Sequence, residues 1–154
     1  MLTVILAPLY FVNKDIKLKE KAMYVLLIIF FVFSFNNNCA NFVWHAFHFP
    51  NDLPYRFSFI YSFVVLIVAF KGAMKIKSLR YQDIAIVGMV WMLIIFLYQK
   101  NMTSKMSEKT IYISLAFIIV WTGFLLLVKK NKVNTVIVSA LVVAITFCEV
   151  IVSD

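Results

Sequence analysis

The chain has 154 residues, of which 64% are hydrophobic, 17% aromatic and only 14% charged. Soluble domains carry about 25% charged and about 45–50% apolar residues, so this composition excludes an ordinary soluble enzyme and fits an integral membrane protein. The net charge of +8 does not point to nucleic acid, because the lysines form short clusters between apolar runs and not one basic face.

Six apolar segments follow in chain order: residues 1–12, 22–35, 57–74, 84–98, 111–128 and 133–152. The first is short and contains Pro8. A full crossing needs about 20 residues, a length met by 111–128 and 133–152. Segment 22–35 is short unless it recruits Lys21 by snorkelling or runs on through residues 36–38. The pattern predicts an all-α integral membrane helix bundle with five to six transmembrane segments, in a single membrane region spanning residues 1–154.

The cations divide unevenly between the connections. Lys14, Lys17, Lys19, Lys21, Lys71, Lys75, Lys77, Arg80, Lys129, Lys130 and Lys132 fall in alternate loops. Arg56, Lys100, Lys105 and Lys109 fall in the others. The lysine-rich set is therefore expected on the cytoplasmic side, which makes the chain a multi-pass protein with loop 36–56 extracytoplasmic. Six crossings would also put the N-terminus outside, unusual for a short uncharged segment. The chain thus reads as a piece of a larger membrane protein.

The outer connection and its flanks, 41–59, read NFVWHAFHFPNDLPYRFSF. This segment holds both histidines, two of the three prolines and one of two arginines among a dense set of rings. Pro54 suits a first helical turn, with Asn51 or Asp52 as its cap. Arg56 then falls in the first turn of the third apolar helix, where the dipole disfavours a cation by about 0.3–1 kcal/mol. An anion shared between Arg56 and the free N–H groups of the helix end would explain it. A pair with Asp52 or snorkelling to lipid phosphates would do so equally. His45 and His48 share a helix face, but no third ligand is evident, so no metal site is expected. They suit hydrogen bonding to a sugar or phosphate, or a plain interfacial role. Trp44, Phe47, Phe49, Tyr55 and Phe57 form either an aromatic belt or a platform for a sugar or isoprenoid chain. The candidate binding residues are Arg56, His45, His48, Trp44, Asn51 and Tyr55, within a functional loop at residues 36–58.

Elsewhere the signals are sparse. Glu149, near the outer end of the last span, is either a functional intramembrane acid or a marker of the membrane exit. Asp83 is an N-terminal helix charge. Cys39 and Cys148 are expected to pack as small hydrophobes. No GxxxG pair supports helix dimerisation, and no P-loop, dinucleotide fingerprint, GxSxG or HExxH gives a cofactor or a soluble-enzyme chemistry a foothold.

Residues 41–45, 47–51 and 53–59 resemble the signature stretch of the YfhO family of bacterial membrane proteins, and Pro8 to Phe11 with Lys14 to Lys21 resemble the segment before it. Ala46 departs from the glycine expected there. The resemblance implies part of a C-type glycosyltransferase-like fold in the bacterial cell membrane. It implies transfer of a sugar from a polyprenyl-phosphate donor to a cell-envelope polymer such as lipoteichoic acid, on the outer face. The implied partners are membrane lipid, the lipid-linked sugar and the polymer acceptor, without nucleic acid and without a cofactor. In such enzymes the catalytic acid lies in an earlier outer loop, so this chain alone is expected to be inactive and its catalytic residue is unknown. The rival reading is a non-catalytic lipid-linked-sugar transporter or a structural membrane protein.

Overall fold

A computed structural model describes residues 1–37, 42–44, 58–101, 108–130 and 134–153. All regular structure among them is helical. Six long helices follow: α1 (Leu2–Val12), α2 (Leu18–Asn36), α3 (Ser58–Met74), α4 (Tyr81–Asn101), α5 (Glu108–Lys130) and α6 (Thr135–Ser153). A single 3-10 turn, Ile76–Ser78, joins α3 to α4. Each apolar run of the sequence falls on one of these helices.

The short helix α1 lies at the centre. It packs chiefly on α3 and also touches α4 and α5, whereas α2 leans on α3 and α6 on α5. The sequence makes α1 suited to this place, since its mean composition is apolar on every side and it carries no charged side chain. Ile5, Leu6 and Leu9 join Ala69, Ile84, Val87, Ile118, Trp121 and Leu125 in one buried cluster. Pro8 sits inside α1 and removes one helical N–H, yet the helix continues to Val12. Its close contact with α3 depends on Gly72. A Cβ at that position would lie 2.6 Å from the Leu6 carbonyl oxygen and 3.4 Å from the Tyr10 Cβ and N. A second close approach joins α4 to α5 at Gly88, where the obstacle would be the Thr122 side chain, with Oγ1 at 2.6 Å.

Consecutive helices alternate in direction, and side-chain contacts gather the lysine-rich turns at one end. Asn13, buried just after α1, donates from Nδ2 to the Lys75 carbonyl at 3.1 Å and to Ser78 Oγ at 2.9 Å. Its Oδ1 accepts the Asp15 N–H at 2.9 Å. One amide thereby ties the α1–α2 turn to the α3–α4 turn. Lys71 pairs with Glu20 at 2.5 Å, and Lys129 Nζ donates to the Lys77 carbonyl at 3.1 Å. Asp83 reaches back to the Arg80 N–H at 3.1 Å and to its guanidinium at 3.0 Å, so it closes the first turn of α4 as the sequence suggested.

The outside of the bundle is apolar. Phe30, Phe33, Phe63, Phe70, Leu93, Phe96, Val143 and Phe147 are all exposed. The stretches Tyr81–Gln99 and Lys109–Lys130, 19 and 22 residues, are long and apolar enough to cross a membrane, and only 22% of each is buried. A soluble protein hides such helices, whereas a lipid-facing one does not. The last apolar run, 133–152, falls on α6, whose apolar stretch is Val136–Val152. Cys148 departs from expectation: it is exposed on α6 and not packed inside. Cys39 lies outside the described residues.

Two outcomes test this packing. Gly72→Ala forces α1 away from α3 because the obstacle is backbone, and is expected to destabilise the detergent-solubilised protein by about 1–3 kcal/mol. Gly88→Ala meets Thr122 at Oγ1, Cγ2 and Cβ, at 2.6, 2.8 and 3.2 Å, which rotation of a β-branched side chain does not clear. It too should destabilise, and thermal unfolding of the two variants measures both. Hydrogen bonding to Lys71 holds the Glu20 carboxyl below its ordinary 4.5. Glu20 precedes the apolar stretch of α2. A lowered folded-state value means the stabilisation is complete above about pH 4.5, the unfolded value, and fades as pH falls through the folded one. Unfolding followed from pH 7 downward should therefore show an acid decline that Glu20→Gln reduces.

Candidate functional site

The loop that the sequence singled out joins the end of α2 to the start of α3. His45, His48, Asn51, Tyr55 and Arg56 lie outside the described residues. Trp44 lies within them, and residues 42–44 are helical. The Trp44 ring stacks on Phe31, with centroids 5.9 Å apart and planes 22° from parallel, and meets Phe30 at 6.1 Å. Phe31 also touches Tyr61 edge-on at 6.2 Å, and Tyr61 meets Phe35 at 5.6 Å. Phe31 and Val64 form the buried centre of this group. Offset and edge-on aromatic pairs contribute about 0.5–1.5 kcal/mol each beyond their area. Rings from the end of α2 and the beginning of α3 thus make a floor on which the start of the loop is fixed. Trp44 remains 38% exposed.

Ser34 strengthens this floor. It is fully buried and satisfies its hydroxyl on the Phe30 carbonyl at 2.8 Å. Asn36 donates from its side chain to the Val32 carbonyl, one turn back, at 2.8 Å.

At the same end a second feature lies between α5 and α6. Glu149 Oε2 accepts the Trp121 indole N–H at 2.8 Å, and its other oxygen takes the Met1 amino group. Trp121 is fully buried and its ring meets Phe124 edge-on at 5.8 Å. The indole therefore presents its N–H to the carboxylate from a fixed position. Glu149 lines a cleft of about 200 Å³ with Lys109, Thr110, Ser114, Phe117 and Val152. The cleft, which Met1 also lines, combines the Glu149 carboxylate held by Trp121 and Met1 with a cation and two hydroxyls. Of the hydroxyls, Ser114 donates to the Thr110 carbonyl at 2.8 Å. The remaining lone pairs and the Lys109 and Thr110 donors suit a polyhydroxylated ligand. The sequence had flagged Glu149 but missed Trp121, which as a lone aromatic in an apolar run carries no signal of a polar partner. No group of three metal-ligating side chains occurs among the described residues.

The arrangement defines a helical membrane protein whose two ends differ in chemistry, one rich in lysine and the other in rings and hydroxyls. The chain belongs to the family described as bacterial membrane protein YfhO, whose model matches residues 1–153. No curated protein and no solved structure matches it.

The Trp121–Glu149 bond crosses between two helices in an apolar setting, where such bonds average about 0.6 kcal/mol and reach about 1.7 kcal/mol. A double-mutant cycle of Trp121→Phe and Glu149→Leu should return a coupling of about 1 kcal/mol in unfolding experiments. A coupling of zero would show that the two side chains do not hold each other.

Proposed function

We propose that the chain is the membrane portion of a glycosyltransferase that moves a sugar from a polyprenyl-phosphate donor to a cell-envelope polymer such as lipoteichoic acid. In this reading the helices are part of a C-type glycosyltransferase-like bundle of five to six crossings. The lysine-rich end faces the cytoplasm, as the distribution of positive charge favours, and loop 36–58 faces outward. Membership of the YfhO family and the motif in residues 41–59 support it.

The observation that carries the reading is the chemistry gathered at one end of the bundle. The aromatic floor beneath Trp44 and the Glu149 cleft both lie there, while the clustered lysines lie at the other end. A polyprenyl-phosphate donor brings an apolar chain, an anion and a sugar to the headgroup level together. Arg56 would hold the phosphate by paired, charge-assisted hydrogen bonds. His45, His48, Asn51 and Tyr55 would bond to the phosphate or sugar, and Trp44 would offer its open ring face to either the sugar or the isoprenoid. In the transfer the bond between the sugar carbon and the phosphate oxygen breaks, and an acceptor hydroxyl oxygen takes its place. The phosphate leaves with additional negative charge, which a fixed guanidinium stabilises more in the transition state than in the ground state. Glu149, Thr110 and Ser114 are suited to holding hydroxyls of the sugar or acceptor.

Replacing Arg56 by Ala in the full-length protein is expected to reduce sugar on the envelope polymer at least tenfold at normal protein level. Arg56→Lys should recover only part of it, because an ammonium lacks the planar fork. Unchanged glycosylation with either variant would remove Arg56 from the site. Reconstitution with donor and acceptor then separates the enzyme from a transporter, since a transporter moves donor without transferring its sugar.

A further inference from the structure

The lysine-rich end contains a second cleft that has no part in the reading above. It measures about 380 Å³ and lies where the α1–α2 turn faces the end of α3. Lys17, Lys71, Lys75, Glu20, Asp15 and Tyr10 line it. Three features of this cleft point the same way.

The first is Tyr10. Its side chain is fully buried, and its hydroxyl has no hydrogen-bond partner by distance and angle. The Glu20 carboxylate is its nearest acceptor, but Glu20 is committed to Lys71 at 2.5 Å and makes no well-formed hydrogen bond to the hydroxyl. Tyr24 packs edge-on against the ring at 5.6 Å and fixes it. A buried hydroxyl without a well-formed hydrogen bond costs up to about 1–3 kcal/mol, so this donor, only weakly engaged by Glu20, is available to a better-placed acceptor.

The second is the beginning of α2. Its cap residue, Lys17, makes no side-chain hydrogen bond to the first turn, and an uncapped helix start favours an anion. The third is the cations. Lys17 and Lys75 are exposed and form no ion pair among the described residues, while Lys71 is shared with Glu20. Asp15 and Glu20 offset two of the three positive charges, which leaves one in excess.

We infer that this cleft binds a phosphate group, carried either by an anionic lipid headgroup or by a free phosphate compound. Lys17, Lys75 and the first turn of α2 meet its oxygens from outside, and the Tyr10 hydroxyl donates from the floor. Glu20 stands in for the ligand on Lys71 and competes with it. The site is separate from the donor phosphate of the proposed transfer reaction, because it lies at the opposite end of the bundle.

The test uses the purified chain in detergent. Native mass spectrometry compares dioleoyl-phosphatidylglycerol with dioleoyl-phosphatidylcholine, and a thermal-shift titration with inorganic phosphate forms the second arm. Saturable retention of the anionic lipid alone identifies a headgroup. Saturation by inorganic phosphate that also displaces the lipid identifies a free phosphate compound. The paired substitution Lys17→Ala with Lys75→Ala is expected to weaken binding more than tenfold, at about fivefold for each lysine. Tyr10→Phe is the sharper variant. It loses no well-formed hydrogen bond, so its unfolding temperature should change little while binding falls several-fold. Glu20→Gln should tighten binding. A general attraction of surface lysines for anionic lipid would ignore the Tyr10 hydroxyl. Binding unchanged in Tyr10→Phe, or absence of saturable binding in both arms, overturns the proposal.

Discussion

The contact between the backbones of α1 and α3 at Gly72 is the constraint on which the remaining packing depends. Helices in lipid gain little from burying apolar surface against one another, so they associate through close fit and hydrogen bonds. At Gly72 the absent side chain lets the Leu6 carbonyl approach, and that approach seats α1 in the middle of the bundle. Once α1 is there, Ile5, Leu6 and Leu9 provide the surface that α4 and α5 cover. Asn13 then fixes the turn at its end by three hydrogen bonds. A helix of 11 residues is marginal alone; here it becomes the central one because its neighbours surround it.

Much of the architecture was legible in the sequence. Each apolar run became a helix, and the alternation of lysine-rich connections became an alternation of helix direction. Hydropathy and charge are local signals, and both survive into the fold. The helix ends were less legible. The sequence began the second and fourth runs at residues 22 and 84, whereas α2 and α4 begin at Leu18 and Tyr81. Polar first turns such as Lys19-Glu20-Lys21 and Tyr81-Gln82-Asp83 interrupt hydropathy without interrupting the backbone hydrogen bonds.

What could not be read was tertiary. The sequence offered no GxxxG pair to mark a helix contact, yet two isolated glycines permit close approach because their partners lie on other helices. Asn13 resembled any polar residue after an apolar run, and its worth comes from acceptors 62 and 65 residues away. Trp121 carried no sign that its N–H would meet Glu149. Of the candidate loop residues only Trp44 lies among the described ones, and there the structure adds the aromatic floor beneath it and the separate group at Glu149.

The thin attachment of α6 has a consequence for assembly. Val136, Ile137, Val143, Phe147, Val150 and Ile151 are exposed on it, and α5 is its main neighbour. Such a helix is as comfortable alone in lipid as beside its neighbours. Its place is then selected less by packing than by pairing of the Glu149 carboxylate, which is costly to leave unmatched in an apolar medium. The Trp121 N–H and the Met1 amino group meet that acid from α5 and α1, so the register of the last helix is set by one polar residue matched on two sides.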